Sequence, residues 1–390
     1  MVVIERCPKY NDEMVFCAVN KIFDNLGGID KYIKKGMRVA IKPNLIKKKK
    51  PEDAATTHPS VVKAVAEIVK QKGGIVTIID SPGGFFTTSS LKNVYSICGI
   101  EKAAIESGAE LNYNLKEVDI ENPEGLYLKK LTVIQALADA DIIINLPKLK
   151  THGQMIYTGA IKNMFGAVPG EFKAEYHIRM PNYNEFANAL IDIYLSVKPS
   201  INIMDAVVGM DGAGPTAGDP KPMGFIIGAD NGFELDFIAL KLVGADPFDI
   251  PVTNQAIKRG LCPSDIKNIR IVCDDFESFK VDGFRMPQLD TLQAIAYYDK
   301  GIMKLVVNKL KPAPVFLHEK CISCGECVKI CPAGVIYMKN NKPEVNLKSC
   351  IRCFCCQELC PQKAVYIKRP WVLDLYVKKR KKRMDITNEC

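Results

Sequence analysis

Cys321-Ile-Ser-Cys324-Gly-Glu-Cys327-Val-Lys-Ile-Cys331-Pro332 is answered further along the chain by Cys350-Ile-Arg-Cys353-Phe-Cys-Cys356-Gln-Glu-Leu-Cys360-Pro361. Each half reads C-x2-C-x2-C-x3-C-P, the ligand run of a bacterial-type domain that carries two iron–sulfur clusters. Three thiolates at this spacing wrap one corner of a cubane. The fourth cysteine leads the chain to the other cluster, and proline ends the loop. Read this way, Cys321, Cys324, Cys327 and Cys360 hold one 4Fe-4S cluster, and Cys350, Cys353, Cys356 and Cys331 hold the second. A zinc ribbon wants two C-x2-C pairs rather than two quadruplets ending in Cys-Pro. Cys355 is surplus to the ligand spacing and reads as a bystander near the second cluster.

The other properties of the chain agree with such a module on a larger body. The chain has 390 residues and is 47% hydrophobic, enough for a sizeable core and two or three domains. Nine of its fifteen cysteines lie between Cys321 and Cys360, so a disulfide framework is not the reading. Clusters of this kind suit a reducing, low-oxygen interior, as in an anaerobe. The start, Met1-Val-Val-Ile-Glu-Arg6, has no signal-peptide pattern, and no apolar run reaches the length of a membrane span. The expectation is a cytoplasmic protein. The net charge is +9, with runs at Lys47–Lys50 and Lys378–Arg383. Neither run has aromatic stacking partners nearby, so both read as solvated segments rather than a nucleic-acid surface.

Upstream, strand and helix signals alternate. Met37–Ile41 and Ile75–Ile79 read as buried strands around a helix opened by Pro59, with Val61, Val62, Val65, Ile68 and Val69 on one face and Gly73-Gly74 as its stop. Val133–Ala138 reads as helix and Asp141–Leu146 as strand, with a loop from Pro147 through His152. Tyr183–Val197 reads as helix, Ile201–Val207 as strand, Gly209–Gly218 as a glycine-rich loop, Met223–Ile227 as strand, Phe233–Val243 as helix and Ile269–Cys273 as strand. This alternation predicts an α/β domain with a largely parallel sheet over 1–285. A helical connector is expected over 286–314, with Lys311–Pro314 as a hinge. A small α+β ferredoxin-type domain follows over 315–369, and a basic tail over 370–390.

Ligands of open α/β sheets bind beyond the carboxyl ends of the strands. The polar residues fall at those predicted ends: Lys42 and Asn44, then Asp80, then Lys148, Lys150 and His152, then Asp205. With Lys162 and Asn163 they predict a pocket for a polar, anionic small molecule or a further small-molecule cofactor. Within it, Lys42, Asn44, Asp80, Lys148, Lys150, Asn163 and Asp205 are the binding candidates. His152 and Lys162 are the catalytic candidates, acting as a unit. The Gly209–Gly218 stretch lacks the G-x-G-x-x-G order, and no phosphate-binding P-loop motif occurs.

Several motifs carry a family resemblance. Residues 321–361 closely resemble the ferredoxin family. Ile41-Lys42-Pro43-Asn44-Leu45, Thr57-His58-Pro59, Asn145-Leu-Pro-Lys-Leu-Lys-Thr-His152 and Ala160-Ile-Lys162-Asn163-Met-Phe-Gly166-Ala-Val-Pro-Gly170 resemble the domain of unknown function 362 family, often fused to a ferredoxin module. That resemblance spans about residues 35–285. It implies a redox-linked cytoplasmic protein and brings no established reaction. The segment through Asp141, His152, Lys162, Gly166 and Pro169-Gly170 is also similar to the nickel-pincer lactate racemase family. There the histidine belongs to the active site, the lysine carries the covalent cofactor, and His177 lies where a further family histidine falls. Ala160-Ile161 and Lys42-Pro43-Asn44 depart from that family's pattern.

The leading expectation is an iron–sulfur oxidoreductase that passes electrons from an electron-transfer partner to an anionic small molecule. Two others stand beside it: an electron carrier or metallocofactor-maturation protein without turnover of its own, and a racemase-like enzyme.

Overall fold

The computed structural model describes residues 1–170, 172–180, 182–287 and 311–368. It divides into a unit over Met1–Met286 and a unit over Pro287–Cys390. Most of the expected connector and all of the expected basic tail lie outside the described residues.

The first unit is a mixed α/β body around one sheet. Its strands are β1 (Val2–Arg6), β2 (Arg38–Pro43), β3 (Ile75–Ile78), β4 (Glu110–Leu111), β5 (Glu117–Glu121), β6 (Lys130–Ile134), β7 (Ile142–Leu146), β8 (Lys148–His152), β9 (Ile156–Thr158), β10 (Ile201–Asp211), β11 (Asp219–Ala229) and β12 (Ile271–Val272). The main order is β12-β1-β11-β10-β7-β2-β3-β4, with β8 joined to β10 and β9. Pairing is parallel from β10 through β7, β2 and β3 to β4. It turns antiparallel where β11 lies between β10 and β1. β5 and β6 form a separate antiparallel pair.

The parallel half follows from its apolar runs. Val39, Ala40 and Ile41 of β2 and Ile143, Ile144 and Leu146 of β7 are all buried, as strands covered on both faces require. The helix Pro59–Gln71 crosses between β2 and β3. Its Val61, Val62, Val65, Ile68 and Val69 are buried, and the His58 side chain caps its start by accepting from Ser60 N. Gly73 ends it with φ of 81°. Gly74 must be glycine because a Cβ there would lie 2.7 Å from Val69 Cγ1.

Four local expectations need correction. Val133–Ala138 is not one helix. Lys130–Ile134 is a strand that buries Leu131, Val133 and Ile134, leaves Lys130 exposed and Thr132 half-buried, and pairs with β5, and only Gln135–Ala138 is helical. Lys148–His152 is a fully buried strand rather than a loop. Pro147 has no N–H to give the ladder, so the chain leaves β7 there and resumes as β8 against β10. The glycine-rich loop is shorter than expected, because β10 runs to Asp211 and β11 starts at Asp219. Asp205 is therefore interior to a strand and does not close it. Finally, Ala313 and Pro314, expected in a helical connector, begin the strand Ala313–Phe316.

The second unit is small and α+β. Its strands are β13 (Ala313–Phe316), β14 (Ile336–Lys339), β15 (Lys342–Val345) and β16 (Val365–Lys368). β13 pairs with β16 and β14 with β15, both antiparallel. Two one-turn helices, Glu326–Lys329 and Cys355–Glu358, carry the third cysteine of each quadruplet. Between them Ile336, Val365 and Cys356 form the core, joined by the partly buried Phe316, Val328 and Val345 and by three partly buried cysteines, Cys327, Cys331 and Cys360.

Candidate functional site

In the second unit the two quadruplets interleave. One cavity is lined by Cys321, Cys324, Cys327 and Cys360, with Phe316, Ile322 and Met338 among its apolar walls. Another is lined by Cys331, Cys350, Cys353 and Cys356, with Ile336, Ile351 and Phe354. Each cavity takes three thiols from one half and the fourth from the other. Among the described residues no three His, Cys, Asp or Glu side chains converge closely enough for one metal ion. Four thiols spread around a cavity fit a bulky cubane cluster better than a single tetrahedral zinc, whose sulfur ligands all lie about 2.3 Å from the metal. Backbone amides already point at two of these sulfurs: Ser323 N at Cys321 Sγ, 3.4 Å, and Ala364 N at Cys360 Sγ, 3.2 Å.

In the first unit the sequence-selected polar residues form one hydrogen-bonded network. Lys42 Nζ lies 2.7 Å from Asp80 Oδ1, both side chains almost fully buried, and Asp80 Oδ2 accepts from Leu45 N at 2.8 Å. Gly166 packs directly on this pair, where a Cβ would collide with both side chains. Burial pushes the Lys42 ammonium below its ordinary range, and Asp80 opposes that push. Lys148 Nζ lies 2.7 Å from Asp205 Oδ2 and 2.7 Å from the Tyr10 hydroxyl, which donates to Asp205 Oδ1 at 2.8 Å. His58 N donates to the same carboxylate at 2.9 Å, and its ring stacks on Tyr10 at 3.5 Å. Burial pushes the His58 imidazole down to about 4.

An amide chain runs beside these pairs, and Asn163 Nδ2 also reaches Lys42 O at 3.3 Å. Lys150 Nζ donates to Asn44 Oδ1, Asn44 Nδ2 to Asn163 Oδ1, Asn163 Nδ2 to Asn145 Oδ1, and Asn145 Nδ2 to Asn202 Oδ1, at 2.7–2.9 Å throughout. Asn202 Nδ2 then reaches the Tyr194 hydroxyl at 3.0 Å. Thr57 Oγ1 links Asn44 N to Leu146 O. Nearly every donor is matched inside the protein, which is the condition for burying so many polar groups. Thus Lys42, Asn44, Asp80, Lys148, Lys150, Asn163 and Asp205 come together, with most of their charge and hydrogen bonding spent on one another.

His152 and Lys162 sit beside this network. His152 is buried, and its Nδ1 accepts from Gln154 N at 3.0 Å and Met155 N at 3.1 Å. Burial first, then the charges of Lys162 and Lys150 and the neighbouring His177, hold the ring well below its ordinary range. A neutral imidazole whose Nδ1 accepts carries its proton on Nε2, so His152 presents a donor. His177 is pushed to about 3 by burial and by Lys162. Its Nδ1 is buried with no hydrogen-bond partner among the described residues. Phe165 gathers the group: Lys162 Nζ lies 5.8 Å and Lys173 Nζ 5.9 Å from its ring centre, and His177 meets it edge-on. The adjacent Tyr176 also lines a cavity of about 340 Å³, with Phe172 and Arg179 on one wall and Lys130 and Thr132 on another.

Sequence reasoning missed Tyr10, Asn145, Asn202 and Asp236. Asp236 is buried and accepts from Ala160 N at 2.7 Å and Ile161 N at 3.2 Å, fixing the start of the short helix that carries Lys162. Burial pushes its carboxyl up to about 7. Its signal was available: a lone acid inside the apolar run Leu235-Asp236-Phe237-Ile238.

Comparison with known proteins defines the class. The family model described as "Domain of unknown function (DUF362)" matches residues 39–241, and the one described as "4Fe-4S dicluster domain" matches residues 313–361. The chain belongs to the DUF362 family and carries a ferredoxin-type dicluster domain. It is similar to the thylakoid-associated protein sll1697 of Synechocystis, 29% identical over 289 residues, covering 74% of this chain and 88% of that one. Among solved structures it is similar to the lactate racemase apoprotein of Thermoanaerobacterium thermosaccharolyticum. That match has 12% identity and a TM-score of 0.37, over 60% of this chain and 56% of that one. A Thermotoga maritima protein matches at 13% identity and a TM-score of 0.31, over 53% and 52%. The chain thus spans little more than half the length of either solved chain. Likeness at this level carries no argument about the reaction. Among the described residues no helix is long and apolar enough to cross a membrane.

Proposed function

We propose that the chain is an iron–sulfur oxidoreductase of the cytoplasm, in which the cysteine unit relays single electrons and the α/β unit binds an anionic small molecule or cofactor. The observation that carries this reading is the pair of cavities, each lined by four cysteines drawn three from one half and one from the other. Cys321, Cys324, Cys327 and Cys360 would hold one 4Fe-4S cluster, and Cys350, Cys353, Cys356 and Cys331 the other. When bound, such clusters supply one-electron transfer, usually at low potential. In the α/β unit, Lys162 supplies a charge to an anion and the Nε2–H of neutral His152 supplies a hydrogen bond. Asp236 positions Lys162 through the helix start, and Lys173 and His177 extend the same group.

The test is anaerobic iron analysis with electron paramagnetic resonance. About eight irons per chain are expected, from two four-iron clusters. Cys360→Ala should remove the same signal as Cys321→Ala, and Cys331→Ala the same as Cys350→Ala. Uncrossed pairing of the losses, or zinc in place of iron, sinks the proposal. The anion site is tested by titrating inorganic phosphate and pyruvate into the full chain. Lys162→Arg should keep affinity for whichever probe binds if the residue is a point charge, and Lys162→Ala should lose it.

A second reading, an electron carrier without its own turnover, is favoured by one observation. Lys42 and Lys148 are neutralised by buried carboxylates, which leaves them little to give a substrate.

A further inference from the structure

The two cysteine sets differ in access to solvent. Around the first cavity Cys324 is exposed and Cys321, Cys327 and Cys360 are partly exposed. Around the second, none is exposed: Cys331 and Cys350 are partly exposed and Cys353 and Cys356 are buried. Beside the first set stand two exposed apolar side chains, Ile322 at 60% and Met338 at 38%, both lining its cavity. Charge surrounds them unevenly. From Ala313 to Lys368 the unit holds eight Lys and Arg against four Asp and Glu. Of the acids near the first set, Glu326 is paired with Lys329 at 3.1 Å and Glu344 with Lys339 at 3.8 Å. Lys342 Nζ sits against the carbonyls of His318 and Cys321. Lys320 and Lys363 are exposed, flank Cys321 and Cys360 in the chain, and make no ion pair among the described residues. Glu319 is the one acid there in the same condition.

We propose that this face, with Ile322 and Met338 at its centre and Lys320, Lys342 and Lys363 around it, is the docking surface for a small acidic redox protein. The inference rests on the iron–sulfur reading above and adds which cysteine set the partner meets and the sign of its charge. Apolar contact at the centre gives a short approach to the exposed thiols. The lysine rim steers an acidic partner and repels a basic one. The second set has no exposed cysteine, and Phe354, which is 3% exposed, lines its cavity beside the buried Cys353 and Cys356.

The experiment uses the anaerobically purified full chain with its iron content measured, an acidic flavodoxin as probe and basic cytochrome c as its opposite. Binding is followed by titration calorimetry across a salt series, and contacts are mapped with a carbodiimide that joins lysines to carboxylates at zero length. Flavodoxin is expected to bind with an affinity that falls steeply with salt, and to cross-link at Lys320 or Lys363. Lys320→Glu with Lys363→Glu should weaken it about tenfold at low salt, in the lower part of the range that electrostatic steering covers. Ile322→Ser should weaken it several-fold at every salt concentration, and Lys348→Glu, beside the second set, by less than about twofold. Cross-links confined to Lys348, Lys368, the basic tail or the α/β unit would overturn the proposal. So would flavodoxin binding indifferent to salt, or tighter binding of cytochrome c. A chain with no iron at all defeats the underlying reading instead, and the iron measurement distinguishes the two failures.

Discussion

The two cysteine loops share a backbone and differ in what covers it. Ser323 and Arg352, at equivalent places, both have φ of 59°; Gly325 and Phe354, the next equivalent pair, have φ of 75° and 61°. Left-handed residues at the same two positions bend both loops so that three thiols face inward. The side chains then part company. Gly325 has nothing within 4 Å of where a Cβ would be, whereas Phe354 is buried and lines the second cavity. Ser323 turns its hydroxyl to Asn341 O, while Arg352 reaches Lys311 O and Pro312 O at 3.0 and 2.6 Å. Ligand geometry is thus set by the cysteine spacing and two φ values. Access to the ligands is set by two or three side chains that the motif leaves free.

The largest consequence is the order in which iron is lost. Treatment of the holoprotein with a strong iron chelator, or brief exposure to air, should remove the signal of the Cys321 set at least about tenfold faster than that of the Cys350 set. Time-resolved resonance spectra with iron counts would show it. Equal rates, or faster loss from the second set, would mean that exposure in the folded state does not govern access.

How far this was legible in sequence depended on whether the information was local. The cysteine sets could be read because all eight ligands lie within forty residues at fixed spacings. The helix Pro59–Gln71 and β2, β3 and β7 were legible because an apolar face or run declares itself within a few residues. β8 was not, because proline at its start looks like the end of the preceding strand, and only pairing with β10 makes Lys148–His152 extended. The polar network was half legible. The lysines and asparagines stood out at strand ends, but Tyr10 meets Asp205 across 195 residues and Asp236 meets Ala160 across 76. No local pattern announces such a partner.

Exchanging the two covering residues is the sharper test of the comparison. Phe354→Gly removes roughly 1–2 kcal/mol of left-handed strain but deletes a buried ring, which costs about 3–5 kcal/mol in a core. The burial loss wins, so the variant should melt lower and lose iron from the Cys350 set several-fold faster. Gly325→Phe accepts the same strain with open space around it, and should slow iron loss from the Cys321 set a few-fold at a cost of about 1–2 kcal/mol. If the order of loss survives both exchanges, the aromatic cover is not its cause.

The smallest expected effect belongs to Cys355. It begins the one-turn helix Cys355–Glu358 and is buried at 9%, close to Cys353 and Cys356, which makes it look like a ninth ligand. The other loop argues against that. The equivalent residue there is Glu326, which opens the helix Glu326–Lys329 and pairs with Lys329. The second cavity is lined by Cys331, Cys350, Cys353 and Cys356 without Cys355. A thiol in this position packs as a small apolar group. Cys355→Ala should therefore leave the iron count and both resonance signals unchanged and cost about 1 kcal/mol or less of stability, the loss of one small buried atom. Cys355→Glu should cost more, since it buries a carboxylate where Glu326 has solvent and a lysine. A drop of about half the iron in Cys355→Ala would make this cysteine a ligand, and the two loops would then differ in coordination as well as in cover.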